Sequence, residues 1–126
     1  KLNNTKKITV LCAEDEVLIA LDLESVINDQ SDMICLGLVT DITVLIGEMQ
    51  KLKPDFLILD LHMSGENTSS HISELIRVST KTNIIIFSGS ADQIEIDSII
   101  KNGAKRFVIK DGNVDGVILA IRELAG

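Results

Sequence analysis

Five polar residues stand where apolar runs end. Glu14 and Asp15 follow ITVLCA, Asp60 closes DFLILD, Ser88 closes NIIIFS, and Lys110 closes KRFVIK. Such runs read as buried strands. In an open parallel sheet the carboxyl ends of the strands meet at one edge, where ligands bind. Three carboxylates, a hydroxyl and an ammonium on that edge suit a hard cation and a phosphoryl group. Carboxylates on neighbouring strands, about 4.8 Å apart, repel one another unless a proton or a cation compensates. Oxygen donors without His or Cys side chains favour Mg²⁺, with Mn²⁺ as a substitute. A carboxylate can also attack phosphorus and become an aspartyl phosphate. Asp60 is the central candidate for that role, with Lys110 and Ser88 placed to hold the incoming phosphoryl oxygens.

The elements that must position these groups alternate five times between strand and helix. The first strand is expected at Ile8–Ala13. Its helix, about Glu16–Asp29, carries Ile19, Ala20, Leu23, Val26 and Ile27 on one face. A second strand spans about Met33–Val39, and Asp41 can cap a helix with the stripe Ile42, Leu45, Ile46 and Met49. Pro54 precedes a third strand, Asp55–Asp60. The polar stretch Leu61–Ser70 reads as a loop, followed by a short helix marked by Ile72, Leu75 and Ile76. A fourth strand covers Asn83–Phe87. Ser90 and Gln93 have the spacing of a capping box for a fourth helix, which Asn102-Gly103 stops. A fifth strand covers Lys105–Ile109, and a fifth helix carries Val114, Val117, Ile118, Ile121 and Leu124. Strands three to five are continuously apolar. That predicts a parallel sheet buried on both faces, hence a doubly wound α/β fold.

Composition narrows the function. A chain of 126 residues that is 45% hydrophobic fits one domain with one core. Its net charge of −7 opposes direct nucleic-acid binding. The absence of Trp and Tyr removes the usual stacking platforms. Cys12 and Cys35 lie in apolar runs without a CxxC partner, which predicts two buried free thiols and a reducing, cytoplasmic setting. No apolar run is long enough to span a membrane, and residues 1–7 read as a polar leader before a domain at 8–126.

The stretches VLCAEDE, PDFLILDLHMSG, IIIFSGS and GAKRFVIKDG…AIRELAG, in this order and spacing, resemble a bacterial two-component response-regulator receiver domain. The resemblance implies a three-layer flavodoxin-like (βα)₅ fold with strand order 2-1-3-4-5. By the same resemblance Asp60 is the phosphoacceptor, Glu14 and Asp15 hold Mg²⁺ together with Asp60, and His62 lends the ion its backbone carbonyl. Ser88 is the switch hydroxyl, Lys110 the motif lysine, and Phe107 the aromatic that changes rotamer with Ser88. The partners implied are a histidine kinase or a histidine phosphotransfer protein. The KDG and AIRELAG ending is closest to receivers that precede a LuxR-like helix-turn-helix output, which would lie outside this fragment. A homodimer through helices four and five is a further expectation. So is an exposed Ile on helix four, at either Ile94 or Ile96. The chain would then be a signalling switch with self-phosphorylation and autodephosphorylation chemistry, not a metabolic enzyme.

The sequence departs from the pattern at Ser64, where the family usually has Pro, and at Thr68, where it usually has Gly. Both fall in the loop after Asp60 and keep a phosphorylation-independent scaffold as an alternative. A Mg²⁺-dependent aspartyl-phosphate phosphohydrolase would need a second Asp where His62 stands. A flavin site would need a hydroxyl-rich loop and aromatic clamps that are missing. Taken singly, each site residue has a plainer role: a helix cap for Ser88, an exposed strand-end charge for Lys110, core for Phe107, and solvent-facing positions for His62 and His71. Their joint placement carries the reading.

Overall fold

The computed structural model describes residues 6–126. The leader expected at 1–7 therefore falls mostly outside the described residues; Lys6 and Lys7 are exposed. Five parallel strands form one sheet: β1 (Ile8–Ala13), β2 (Met33–Val39), β3 (Phe56–Asp60), β4 (Asn83–Ser88) and β5 (Arg106–Ile109). They stand in the order β2-β1-β3-β4-β5, as expected for the flavodoxin-like fold. The helices are α1 (Val17–Asp29), α2 (Ile42–Leu52), α3 (Ile72–Val78), α4 (Gln93–Lys101) and α5 (Asp115–Ala125).

Side chains alternate between the faces of a strand, and this alternation divides the core in two. Leu11, Leu57, Leu59, Ile84 and Ile86 pack with Ile42, Leu45, Met49, Ile72, Leu75 and Ile99, so α2, α3 and α4 cover one face. Val10, Cys12, Phe56, Ile58, Ile85 and Phe87 pack with Leu23, Ile27, Val117, Ala120 and Ile121, so α1 and α5 cover the other. The helical stripes read from the sequence are the buried faces.

Several local expectations are corrected. Residues 61–70 are not a plain loop. His62–Met63 pairs antiparallel with Glu66–Asn67, and a 3₁₀ turn follows at Thr68–His71. The connecting Ser64 and Gly65 have φ of 55° and 76°, the left-handed pair that a tight hairpin requires. The cap of α4 is Asp92, whose Oδ1 accepts from Glu95 N at 2.8 Å, not Ser90. Ser90 instead bonds to Ser88 through its backbone carbonyl and N–H. The strand β5 is only partly covered, with Arg106 and Ile109 exposed, because it forms an edge of the sheet. Cys35 is half-buried, whereas Cys12 is buried. A bulge lets Val10 pair with Cys35 and Leu11 with Gly37, leaving Leu36 as an extra residue. Val114 precedes α5 as its N-cap residue and is buried there.

Candidate phosphoryl and metal site

The register of the sheet brings the five polar residues together. Ala13 pairs with Leu59, Asp60 with Phe87 and Ser88 with Ile109. Glu14, Asp60 and Lys110 therefore stand just beyond or at the ends of three nearby strands. Alternation directs all three toward the α1/α5 face, as continuations of Cys12, Ile58 and Val108. Ser88 continues Ile84 and Ile86 and faces the other way, toward α2, α3 and α4. Phe107 pairs with Ile86 and packs half-buried on that same face.

Glu14 and Asp60 are 1% and 4% exposed. Ligand oxygens of Glu14, Asp15 and Asp60 lie within 4.8 Å of one another. Lys110 Nζ lies 2.9 Å from Glu14 Oε1, 3.3 Å from Asp60 Oδ1 and 3.6 Å from Glu16 Oε1. It also sits 5.5 Å from the centroid of the Phe87 ring. Glu14 Oε2 accepts from Glu16 N at 3.1 Å. Its buried Oε1 contacts Lys110 as an ion pair but has no aligned hydrogen-bond donor. A buried carboxylate oxygen left in this state, beside two further carboxylates, suits a hard cation of the Mg²⁺ class.

Burial raises the Asp60 pKa, and the adjacent Glu14 carboxylate raises it further. Lys110 and the His62 N–H, 3.1 Å from Asp60 Oδ1, pull it back, and the balance lies at about 7. Burial opposes the Lys110 charge, but Glu14 and Asp60 outweigh it and hold that pKa above the ordinary lysine value. Ser88 is buried, and its hydroxyl donates to the Ser90 carbonyl at 3.0 Å.

The family model of the response regulator receiver domain matches residues 10–122. The chain belongs to this family. It is similar to the nitrate/nitrite response regulator protein NarL of Escherichia coli K12, at 24% identity over 98% of this chain and 57% of that protein. The chain thus spans a little over half the length of the curated relatives it matches. Its fold is shared with a DNA-binding response regulator of the LuxR family from Staphylococcus aureus (TM-score 0.84, 16% identity, 94% of this chain and 99% of that one). It is shared also with a response regulator from Burkholderia pseudomallei whose structure holds a phosphorylated aspartic acid, a calcium ion and citrate (TM-score 0.81, 19% identity, 93% of this chain and 70% of that one).

Within the receiver domain, Glu14, Asp15, Asp60 and Lys110 form one cluster, and Ser88 ends the neighbouring strand. The His62 ring is exposed, as expected, and His71 Nε2 lies 3.0 Å from Glu66 Oε1. Two contributions escaped the sequence reading, which noted Thr68 only as a departure from the usual Gly. Thr68 is fully buried, and its hydroxyl donates to the Asp60 carbonyl at 2.6 Å. It fastens the hairpin to the end of β3, and its N–H donates to Leu61 O at 2.7 Å. Glu16 adds a third carboxylate on Lys110; only its place beside Glu14-Asp15 could have hinted at this. A cavity of about 440 Å³ lies at the opposite edge of the sheet and holds none of these groups. There Asp55 Oδ2 accepts from both N and Oγ1 of Thr9, while its Oδ1 pairs with Lys81 at 3.3 Å. That arrangement ties strand starts together. No helix among the described residues is long and apolar enough to cross a membrane.

Proposed function

We propose that Asp60 accepts a phosphoryl group from a histidine kinase or a histidine phosphotransfer protein, with Glu14, Asp15, Asp60 and the His62 carbonyl holding Mg²⁺. The observation that carries this is the buried Asp60 carboxylate, with Lys110 at 3.3 Å and two further acids close by. An Asp60 oxygen forms the new P–O bond. The N–P bond of the donor phosphohistidine breaks, and its electron pair returns to the imidazole. The cation supplies charge neutralisation for the phosphoryl oxygens. Lys110, already drawn inward by Glu14 and Asp60, donates to one such oxygen, and Ser88 turns to donate to another. Phe107, on the same face as Ser88, follows that movement toward α4, a population shift between two states. The chain on this reading is a cytoplasmic switch that helps form and lose its own aspartyl phosphate, not a metabolic enzyme.

The exposed Ile94 of α4, at 82%, with Ile109 and Leu119 also exposed, supports a homodimer across α4, β5 and α5. Light scattering that stays monomeric with and without beryllofluoride would count against it. A DNA-binding output of the LuxR type would stand outside these residues.

Incubation with Mg²⁺ and acetyl phosphate, read by intact mass beside Asp60→Asn, tests the reading. One added phosphoryl group, lost in the variant and with EDTA, is expected. No addition in a chain that demonstrably binds Mg²⁺ would refute it in favour of a scaffold role.

A further inference from the structure

Ser64 reaches back to Asp15 through its backbone. Its N–H donates to Asp15 Oδ2 at 3.0 Å. Its hydroxyl accepts from Ile42 N, at the start of α2, at 3.4 Å. The turn residue thus joins the hairpin, the acidic pair and α2.

Asp15 differs from its two neighbours in the cluster. Glu14 and Asp60 are buried and contact Lys110, whereas Asp15 is exposed and makes no ion pair among the described residues. Its carboxylate is fixed by the Ser64 N–H, a hydrogen bond to a charged acceptor. That bond engages Oδ2 and leaves the other oxygen for a cation. Partners that hydrogen-bond to a ligating carboxylate commonly govern metal affinity by about 10–100-fold.

We propose that the backbone N–H of Ser64 is a positioning group for the cation, acting by holding Asp15 in its ligating orientation. The proposal rests on the Mg²⁺ reading above and adds a residue to it. The donor depends on backbone conformation. At φ 55°, Ser is tolerated and Gly is at ease, but Pro cannot adopt the angle and has no N–H to give, so the bond belongs to this chain and not to relatives that carry the usual Pro. The Ser side chain is therefore replaceable, provided that the N–H and the left-handed turn are kept.

The test is calorimetric titration of Mg²⁺ into the native chain, Ser64→Gly and Ser64→Pro. Ser64→Gly should bind within about twofold of the native chain, and Ser64→Pro about tenfold more weakly. A Ser64→Pro protein less stable to urea in EDTA, yet with native Mg²⁺ affinity, would show a merely structural clasp and overturn the proposal. A native chain that takes up no Mg²⁺ would instead remove the metal reading itself. Should Ser64→Pro fail to fold, amide exchange on the native chain decides. The Ser64 N–H should exchange more slowly than that of Gly65 and shift on adding Mg²⁺. Exchange as fast as Gly65, with no shift, overturns the proposal.

Discussion

Asp60→Asn should make the metal-free protein more stable, and increasingly so as pH rises. Asp60 titrates at about 7 in the native state and at about 3.9 when unfolded. Between these values the folded chain holds a proton that the unfolded chain has lost, so native stability falls with rising pH. This contribution is complete below the unfolded pKa and is gone above the folded one. Each pKa unit is worth about 1.4 kcal/mol, so the two units from pH 5 to about 7 cost the native protein about 3 kcal/mol. Asparagine cannot ionise, yet it still offers an oxygen to the His62 N–H. The stability gap between variant and native chain should therefore widen by about 3 kcal/mol from pH 5 to pH 8. Urea unfolding in EDTA, followed by far-UV circular dichroism, measures it. With m of about 1–3 kcal/mol/M, the gap in midpoints grows by about 1 M or more. Saturating Mg²⁺ should shrink the gap, because the cation stabilises the ionised carboxylate. A gap that stays constant from pH 5 to pH 8, or an Asp60→Asn protein less stable at pH 8, would refute the account of the buried acid.

Three shorter tests address the surroundings. Thr68→Val removes the hydroxyl that donates to the Asp60 carbonyl and should cost about 1–3 kcal/mol in urea unfolding; an unchanged midpoint would show that the bond contributes nothing. Gly103→Ala should cost about 1–3 kcal/mol, because Gly103 has φ 121° and an added Cβ would meet Ile76 Cδ1; a neutral result in the same assay would mean that the α4–β5 turn relaxes freely. In the native state, Cys35 should react with a thiol reagent well before Cys12. The neighbouring Cys12 thiol lowers the Cys35 pKa, whereas the same neighbour relation and then burial raise the Cys12 value; equal rates would contradict this.

Much of the site was legible because it rests on two simple periodicities. Apolar runs of five or six residues ended on Glu14, Asp60, Ser88 and Lys110, and parallel strands bring such ends to one edge. The stripes on α1, α2 and α5 located the helices that cover them. The hairpin was hidden because its strands are two residues each, too short to show alternation. Ser64 was noted only as a replacement for Pro, since a backbone N–H reaching a carboxylate 49 positions away leaves no mark in side-chain chemistry. Ser90 and Asp92 are both good capping residues, and tertiary placement chose between them: the Asp92 carboxylate meets Glu95 N, while Ser90 engages Ser88 through its backbone. Cys35 is half-buried because β2 forms an edge of the sheet, a placement that no polarity pattern reveals.

The hydroxyl of Ser88 has a single hydrogen to give, and here it goes to the Ser90 carbonyl. It can accept from more than one partner but can donate only once. Directing that hydrogen toward an oxygen carried by Asp60 therefore withdraws it from the segment that leads into α4. Ser90 is exposed, so its carbonyl passes to water at little cost. On the proposed reading one hydrogen bond would replace another, with the preference set by the charge on the new acceptor. A hydroxyl shared in this way behaves as a balance beam: a small weight tips it, and it swings back when the weight is removed.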